Sequence, residues 1–281
     1  MLNRSVISIA KKEFMDNIRN KWIIILSTLF AVLTIVFSFF GSVFSTGWQD
    51  IGGTISSMMS IVNLLVPIIA IILGYSAIVG EIERGSMGSL LALPTTRLEI
   101  ITGKLIGLGG VLSTSIIIGF GIAGVIIGLN VPDPDILAYL VFIAATILLG
   151  LVFLSMAIFF STLFKKRSSA IGGAIFLWML FIIIIPLVIQ GMLIVDIGVE
   201  TLLSGEELEA PGWYYTALLV NPGSMYQSII SLSIESLRNI GGIIRMTYPD
   251  YYSPLSLSLL LFLWVIVFFM LAYWRFSVKD L

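Results

Sequence analysis

Six long stretches without a charged residue constrain this chain more than any other feature of its sequence. Each stretch holds 24 to 30 residues, rich in Ile, Leu, Val and Phe, and each is bounded by charged residues. A bilayer core about 30 Å thick is crossed by roughly 20 apolar residues of helix. Each stretch is therefore long enough for one span and too short for two. The stretches are 22–49, 51–80, 105–132, 136–164, 168–195 and 251–274.

The composition agrees with a membrane-embedded chain. Charged residues make up 11% of the 281 residues and hydrophobic residues 58%, whereas a soluble domain carries about 25% charge. We predict an all-α integral membrane protein, a single domain over 1–281, with six transmembrane helices. The expected spans are about 22–43, 56–80, 105–129, 137–163, 170–195 and 254–274.

The distribution of charge predicts the orientation. With the N-terminus inside, 13 of the 15 Lys and Arg residues fall on the inner side and only Arg238 and Arg245 on the outer side, while 10 of the 16 acidic residues lie outside. This bias follows the positive-inside rule. We expect a multi-pass protein of the plasma membrane, or of a bacterial or archaeal inner membrane, with both termini in the cytoplasm.

Two inner segments are predicted to be helical outside the spans. Residues 1–21 place apolar side chains at helical spacing among charged ones, which is typical of an amphipathic helix in the inner headgroup layer. Residues 81–104 form an elbow between spans 2 and 3, with a turn at Gly85, an apolar patch containing Leu90 and Leu91, and a stop at Pro94. Thr96 and Glu99 fit a capping box, so a helix should begin there and continue into the third span.

The outer region, 196–253, is the long connection between spans 5 and 6. It contains a seventh uncharged stretch, 210–234, which would reach across a membrane if it were one helix. Asn221, Pro222 and Gly223 interrupt that stretch, so we expect a re-entrant or interfacial element made of two helical pieces. We assign these three residues to an outer gate.

Several kinds of activity are excluded or disfavoured by what the sequence lacks. The chain contains no Cys and no His, which excludes thiolate and imidazole metal sites and hydrolytic triads. It has no P-loop motif, and no proposed span contains an ionisable residue of the kind that proton-coupled carriers use. A net charge of −1 offers no basic field for nucleic acid. We expect no catalytic, cofactor or metal site, so energy for any transport must come from a partner.

The order of these parts resembles the membrane permeases of the type 2 ABC exporter class. Size and layout are most similar to the permeases of nitrous oxide reductase maturation systems. The resemblance extends over the full chain and rests on four groups of residues: Ala10 to Phe14 with Asp16, Arg19 and Asn20; Gly80 to Gly85 with Leu90 to Ala92 and Pro94; Arg97, Glu99, Ile100, Gly103 and Lys104; and Arg275, Phe276, Lys279, Asp280 and Leu281.

The resemblance implies a pair of permease copies in the lipid bilayer, expected to be a homodimer, with a cytoplasmic P-loop ATPase docked on each. ATP and Mg would be bound by that ATPase, and the elbow would be its coupling helix. The cargo would be apolar or amphipathic, or force would pass to an extracytoplasmic partner protein. The residues expected to couple to the ATPase are Glu81, Glu83, Arg84, Gly85, Leu90, Leu91, Pro94, Arg97 and Glu99.

Two other functions remain open from the sequence. One is a secondary transporter or channel that needs no ATPase, which the uncharged spans disfavour. The other is a membrane scaffold that carries nothing. Copurification of a P-loop ATPase, or an adjacent reading frame that encodes one, would separate the permease from both.

The topology is tested by cysteine labelling, because the native chain has no thiol. Ser204→Cys should react with a membrane-impermeant maleimide added to intact cells, since it lies in the outer region. Ser168→Cys should react only after the cells are opened. Labelling of Ser168→Cys from outside would contradict the predicted orientation.

Overall fold

A computed structural model describes residues 2–40, 51–91, 94–132, 134–198, 208–234, 244–245 and 248–279. The described residues are almost all helical. The helices are α1 Leu2–Arg19, α2 Trp22–Phe40, α3 Ile51–Gly74, α4 Val79–Glu83, α5 Ser86–Leu91, α6 Arg97–Asn130, α7 Ile136–Leu163, α8 Arg167–Met179, a π-helical turn Leu180–Ile184, α9 Ile185–Ile197, α10 Gly212–Leu218, α11 Pro222–Ser233 and α12 Pro254–Ser277.

The predicted all-α membrane fold is confirmed. Six helical segments in the described part of the chain are long and apolar enough to cross a membrane. A helix satisfies its own backbone hydrogen bonds, which is what a chain in hydrocarbon requires. The segments are Trp22–Phe40, Ile51–Glu83, Arg97–Asn130, Ile136–Leu163, Arg167–Ile197 and Pro254–Ser277.

Helix α7 lies at the centre of the bundle. It packs against α3, α6, α8, α11 and α12. Its side chains Leu149, Val152 and Phe153 are fully buried. By contrast, α8 and α9 leave most of their apolar surface uncovered, with Phe176 and Leu187 among the exposed side chains. The chain therefore offers one face of span 5 to lipid or to another protein.

The N-terminal helix α1 packs along the first turns of α6, and glycine makes this close approach possible. A Cβ atom on Gly107 would lie 2.7 Å from the carbonyl oxygen of Ala10, and one on Gly103 would lie 2.7 Å from the Cβ of Ile9. Ile9 itself is buried in this contact. Helix α1 is thus packed on the bundle along one face, while Lys11 and Arg19 on other faces are exposed.

Span 5 contains a π-helical turn whose hydrogen bonding depends on the outer region. In this turn the Ile185 amide donates to Leu180 five residues earlier. In the same register, the carbonyl of Phe181 would accept a hydrogen bond from the amide of residue 186, but Pro186 has no N–H to donate. The side-chain amide of Asn221 donates to that carbonyl instead, at 2.7 Å.

The described part of the outer region consists of α10, α11 and a short parallel strand pair. Strands β1 Leu208–Glu209 and β2 Ile244–Arg245 pair with each other. Helices α10 and α11 are separated at residues 219–221, as the Asn-Pro-Gly triplet predicts. Asn221 caps α11, since its side-chain oxygen accepts from the Gly223 amide at 2.9 Å.

The packing of α1 on α6 is tested with a matched pair of glycine substitutions on α6. Gly107→Val should lower the melting temperature of the purified protein, because its Cβ overlaps the backbone of α1 and overpacking costs about 1–3 kcal/mol. Gly121→Val is the control, since a Cβ there meets no atom within 4 Å. Equal melting temperatures for the two variants would contradict this account of the contact.

Candidate functional site

The end of the bundle that carries α1, α4 and residue 279 is called the inner end here, and a buried lysine organises it. Lys104 is 1% exposed. Its ammonium group donates to Glu13 Oε1 at 2.7 Å and to Glu81 Oε1 at 2.8 Å. These three residues, called the Lys104 triad, join α1, α4 and α6. Lys12 lies 3.7 Å from Glu81 at the exposed edge of the triad.

The opposite charges of the triad stabilise one another, in place of the water that would otherwise solvate them. An isolated buried charge is strongly unfavourable, whereas a paired and hydrogen-bonded one is tolerated. Removing Lys104 would leave Glu13 and Glu81 without their shared cation. The two carboxylates therefore attach the second half of α1 and the elbow to α6.

A cavity of about 400 Å³ opens beside the triad. Its wall includes Glu81, Lys104, Asp16 and Arg84. Glu81 Oε2 is buried and has no hydrogen-bond partner among the described residues. The site is thus a charged recess at the inner end, next to the elbow.

Helix α4 is also tied to spans 4 and 5. The Ser161 hydroxyl, fully buried on α7, accepts from the amides of Ile78 at 2.8 Å and Val79 at 3.0 Å. The first amides of a helix have no intrahelical acceptor, so a residue of span 4 caps α4. Arg167 pairs with Glu83 at 3.0 Å and donates to the Gly80 carbonyl at 2.8 Å. The elbow is therefore attached to both α7 and α8.

The start of α6 is linked to the end of α12. Thr96 and Glu99 form the capping box predicted from the sequence. Arg97 donates to the carbonyls of Phe276 and Lys279, the latter at 2.8 Å, and its guanidinium carbon lies 5.3 Å from the centre of the Phe276 ring. Arg97 thus satisfies carbonyl groups at the C-terminal end of the last span, where cations are favoured.

Lys279 makes a second link, from the end of α12 to the end of α7. It is largely buried, and its ammonium group donates to the carbonyls of Thr162 at 2.8 Å and Phe164 at 2.7 Å. Burial lowers the pKa of Lys279 from its ordinary value, and the positive charges of Arg275 and Lys165 lower it further. The ends of spans 3, 4 and 6 are therefore joined through Arg97 and Lys279.

The structure separates the predicted coupling residues into different roles. Glu81 and Glu83 are engaged in ion pairs, whereas Arg84 is exposed and donates to the Gly80 carbonyl at 3.0 Å. Gly85 has a positive φ of 71°, a left-handed conformation that favours glycine and turns the chain from α4 into α5. Pro94 is exposed. The side chains of Leu90 and Leu91 lie outside the described residues.

The predicted gate residues lie at the other end of the bundle. Asn221 and Pro222 are buried, and a Cβ on Gly223 would lie 2.8 Å from Asn63 Oδ1 of span 2. The triplet therefore packs against spans 2 and 5. Its role as a gate stays a prediction.

Sequence reasoning missed five residues of the inner site. Lys104 is one of the residues that carry the family resemblance, and Arg167 is one of the inner cations that follow the positive-inside rule, so the sequence assigns a contact to neither. A signal did exist, because a lysine at the very start of an apolar span must find partners if it is buried. Ser161 gave no such signal. The missed residues are Glu13, Lys104, Ser161, Arg167 and Lys279.

No group of three or more His, Cys, Asp or Glu that could hold a metal ion occurs among the described residues. The inner site consists instead of contacts that connect helices to one another. Ion pairs and side-chain hydrogen bonds to backbone groups connect the elbow with α1 and with spans 3, 4 and 5. The elbow is therefore attached to α1 and to three spans at once.

The Lys104 triad is tested by comparing a buried with an exposed lysine. Lys104→Met should destabilise the protein by about 3 kcal/mol, because it removes the shared cation from the buried Glu81 and the partly buried Glu13 and leaves only the more distant Lys12 beside Glu81. Lys11→Met, on the exposed side of α1, should change stability by less than about 0.5 kcal/mol. Thermal unfolding in detergent measures both. A Lys104→Met protein as stable as the wild type would show that the triad does not contribute to the stability of the fold.

The chain is similar to known transporter proteins along nearly its whole length. Residues 7–281 match the family described as "ABC-2 family transporter protein". The chain is 34% identical over 272 residues to the "Probable ABC transporter permease protein NosY" of Stutzerimonas stutzeri, covering 95% of both chains. It is 34% identical over 263 residues to the protein of the same name from Pseudomonas aeruginosa, covering 92% of both. The predicted resemblance is confirmed: this chain belongs to the ABC-2 family of transporter proteins, as a multi-pass membrane permease.

Proposed function

We propose that this permease couples ATP hydrolysis by a separate cytoplasmic ATPase to movements of its six spans. The observation that carries the proposal is the attachment of α4, which includes the start of the elbow, to the inner ends of several spans. The names of the two relatives, ABC transporter permeases, support the same pairing with an ATPase. ATP and Mg are bound by that partner.

The elbow is suited to receive force because its connections are polar and short. Glu81 connects it to α6 and α1 through Lys104, at 2.8 Å. Ser161 connects it to α7 and Arg167 connects it to α8. Ion pairs of this kind keep their geometry within a narrow range, since separating them leaves buried charges unpaired. A push on α4 and α5 therefore moves spans 3, 4 and 5 together.

A second copy of the chain completes the membrane unit in this proposal. The exposed apolar face of α8 and α9, with Phe176, Leu187 and Val188, is wide and nearly continuous. Exposed apolar surface in a membrane protein contacts lipid or another helix. We assign part of this face to a homodimer and the remainder to the bilayer.

The cargo in this proposal is apolar or amphipathic, or the motion is passed to a protein outside the membrane. The spans were predicted from stretches that contain no Asp, Glu, Lys or Arg. These stretches therefore provide no ionisable side chain that could bind an ion or a proton within the membrane. The protein would lie in the plasma membrane or a bacterial or archaeal inner membrane, with both termini and the elbow facing the cytoplasm and the ATPase. The outer region would face the partner or the released cargo.

The coupling role is tested at the apolar patch of α5. Leu90→Asp combined with Leu91→Asp should weaken ATPase association at least tenfold, because each buried leucine contributes roughly 1.5–3 kcal/mol and a buried charge adds a further cost. Leu90→Met combined with Leu91→Met is the matched control and should bind like the wild type. Pull-down of the ATPase and ATP hydrolysis in proteoliposomes provide the two measurements.

Insertion of the aspartate variant into the membrane should be normal, since α5 is not a span. If that variant binds and stimulates the ATPase as the wild type does, the interface lies elsewhere on the inner surface. The role of the elbow as the coupling helix would then be wrong.

A further inference from the structure

A polar cavity of about 250 Å³ lies at the opposite end of the bundle from the Lys104 triad. Its wall is formed by α3, by the π-helical turn and α9 of span 5, and by α10 and α11. Side-chain amides reach it from α3, α9 and α11, those of Asn63, Gln190 and Gln227, and Asn221 adds a fourth. The neighbouring interior of the bundle is dominated by Ile, Leu, Val and Phe.

Polar groups in the wall of a cavity are stable only if each has a hydrogen-bond partner, either within the protein or in an occupant of the cavity. A polar group moved out of water without a new hydrogen bond costs about 1–3 kcal/mol in proteins. Some wall residues are paired within the protein: Gln190 donates to the Tyr214 hydroxyl at 3.0 Å, and Ser228 bonds with Tyr252 at 3.0 Å. Asn63 Oδ1 is different, because it is buried and has no hydrogen-bond partner among the described residues.

Asn63 packs closely against Gly223. A Cβ on Gly223 would come within 2.8 Å of Asn63 Oδ1, so a larger residue there would push the Asn63 amide out of its present position. Asn221 is held by its bonds to Phe181 and Gly223. The Asn-Pro-Gly triplet therefore forms part of the wall beside the Asn63 acceptor.

The chemistry of the wall defines the class of ligand. The lining residues, all within the described part of the chain, include no Asp, Glu, Lys or Arg, so a charged ligand would have no counter-ion in a low-dielectric setting. Hydroxyl groups both donate and accept, which matches amides and serines. The rings of Tyr214 and Tyr248 provide apolar faces beside these groups.

The size of the cavity limits the ligand further. It has space for about eight water molecules, at about 30 Å³ each, and is smaller than the pockets that hold drug-sized molecules, about 300–1,000 Å³. A glycerol unit or a single monosaccharide ring is of suitable size. Such a group can arrive as a free solute or as the headgroup of a lipid.

We propose that this cavity is a binding site for a neutral polyhydroxyl group of glycerol to monosaccharide size, with Asn63 Oδ1 as an acceptor for one of its hydroxyls. The site lies within one protomer, and it depends on neither the ATPase nor the second copy.

The proposal is tested with the full-length permease in phosphatidylcholine nanodiscs, purified in a detergent without a sugar headgroup. Methyl glucoside is the probe, and saturation-transfer difference NMR measures its binding. A saturable signal is expected, with competition by glycerol and none by the charged sugars glucuronate and glucosamine. Asn63→Leu and Gln227→Leu should each weaken binding at least tenfold.

Asn130→Leu is the matched control, because Asn130 is an exposed asparagine at the end of α6, away from the cavity. Its binding should equal that of the wild type. Melting temperatures show whether each variant is folded. If Asn63→Leu does not fold, Gln227→Leu decides the matter, since Gln227 is partly exposed.

Nanodiscs that contain a monoglucosyl diacylglycerol identify the source of the group. Displacement of methyl glucoside by this lipid assigns the site to a lipid headgroup, and retention of the signal assigns it to a free solute. The proposal is overturned if the wild type binds neither probe, or if folded Asn63→Leu and Gln227→Leu bind as the wild type does.

Discussion

The inner end of this permease depends on one buried cation shared by two carboxylates. Lys104 lies at the start of an apolar span and is almost inaccessible, so it is stable there only with Glu13 and Glu81 beside it. These two residues come from segments far apart in the sequence. Satisfying one lysine thus requires that the N-terminal helix, the elbow and span 3 assemble together, which makes the inner end a single mechanical unit.

Further contacts follow the same physical rule, that backbone groups without an intrahelical partner must be satisfied from elsewhere. Ser161 accepts from the first amides of α4, Arg97 and Lys279 donate to carbonyls at the ends of α12 and α7, and Asn221 donates to the carbonyl that Pro186 leaves open. Each contact joins two spans or a span and a loop. The same hydrogen bonds that complete the helices therefore hold the bundle together.

The two ends of the bundle use different chemistry. The inner end relies on charged residues, whose separation would leave buried charges unpaired. The cavity at the other end is lined by amides, hydroxyls and tyrosine rings without a charged residue among the lining positions described. A neutral lining can exchange one hydrogen-bonding occupant for another without leaving a charge unpaired. In this proposal, motion begins at the charged end, and neutral ligands bind at the other.

The sequence by itself determined the membrane class, the six spans, the capping box at Thr96 and the break at Asn221, because these follow from local apolar length and turn chemistry. The orientation remains a prediction from the charges. Only the tertiary structure decided which partners the polar residues have. Glu81 and Lys104 were both visible in the sequence, but their pairing with Glu13 depends on how α1 crosses α6 at Gly107. Likewise, Asn221 reaches the Phe181 carbonyl only because the outer helices fold back onto span 5. Pairings between distant residues depend on packing, which no local pattern in one sequence records.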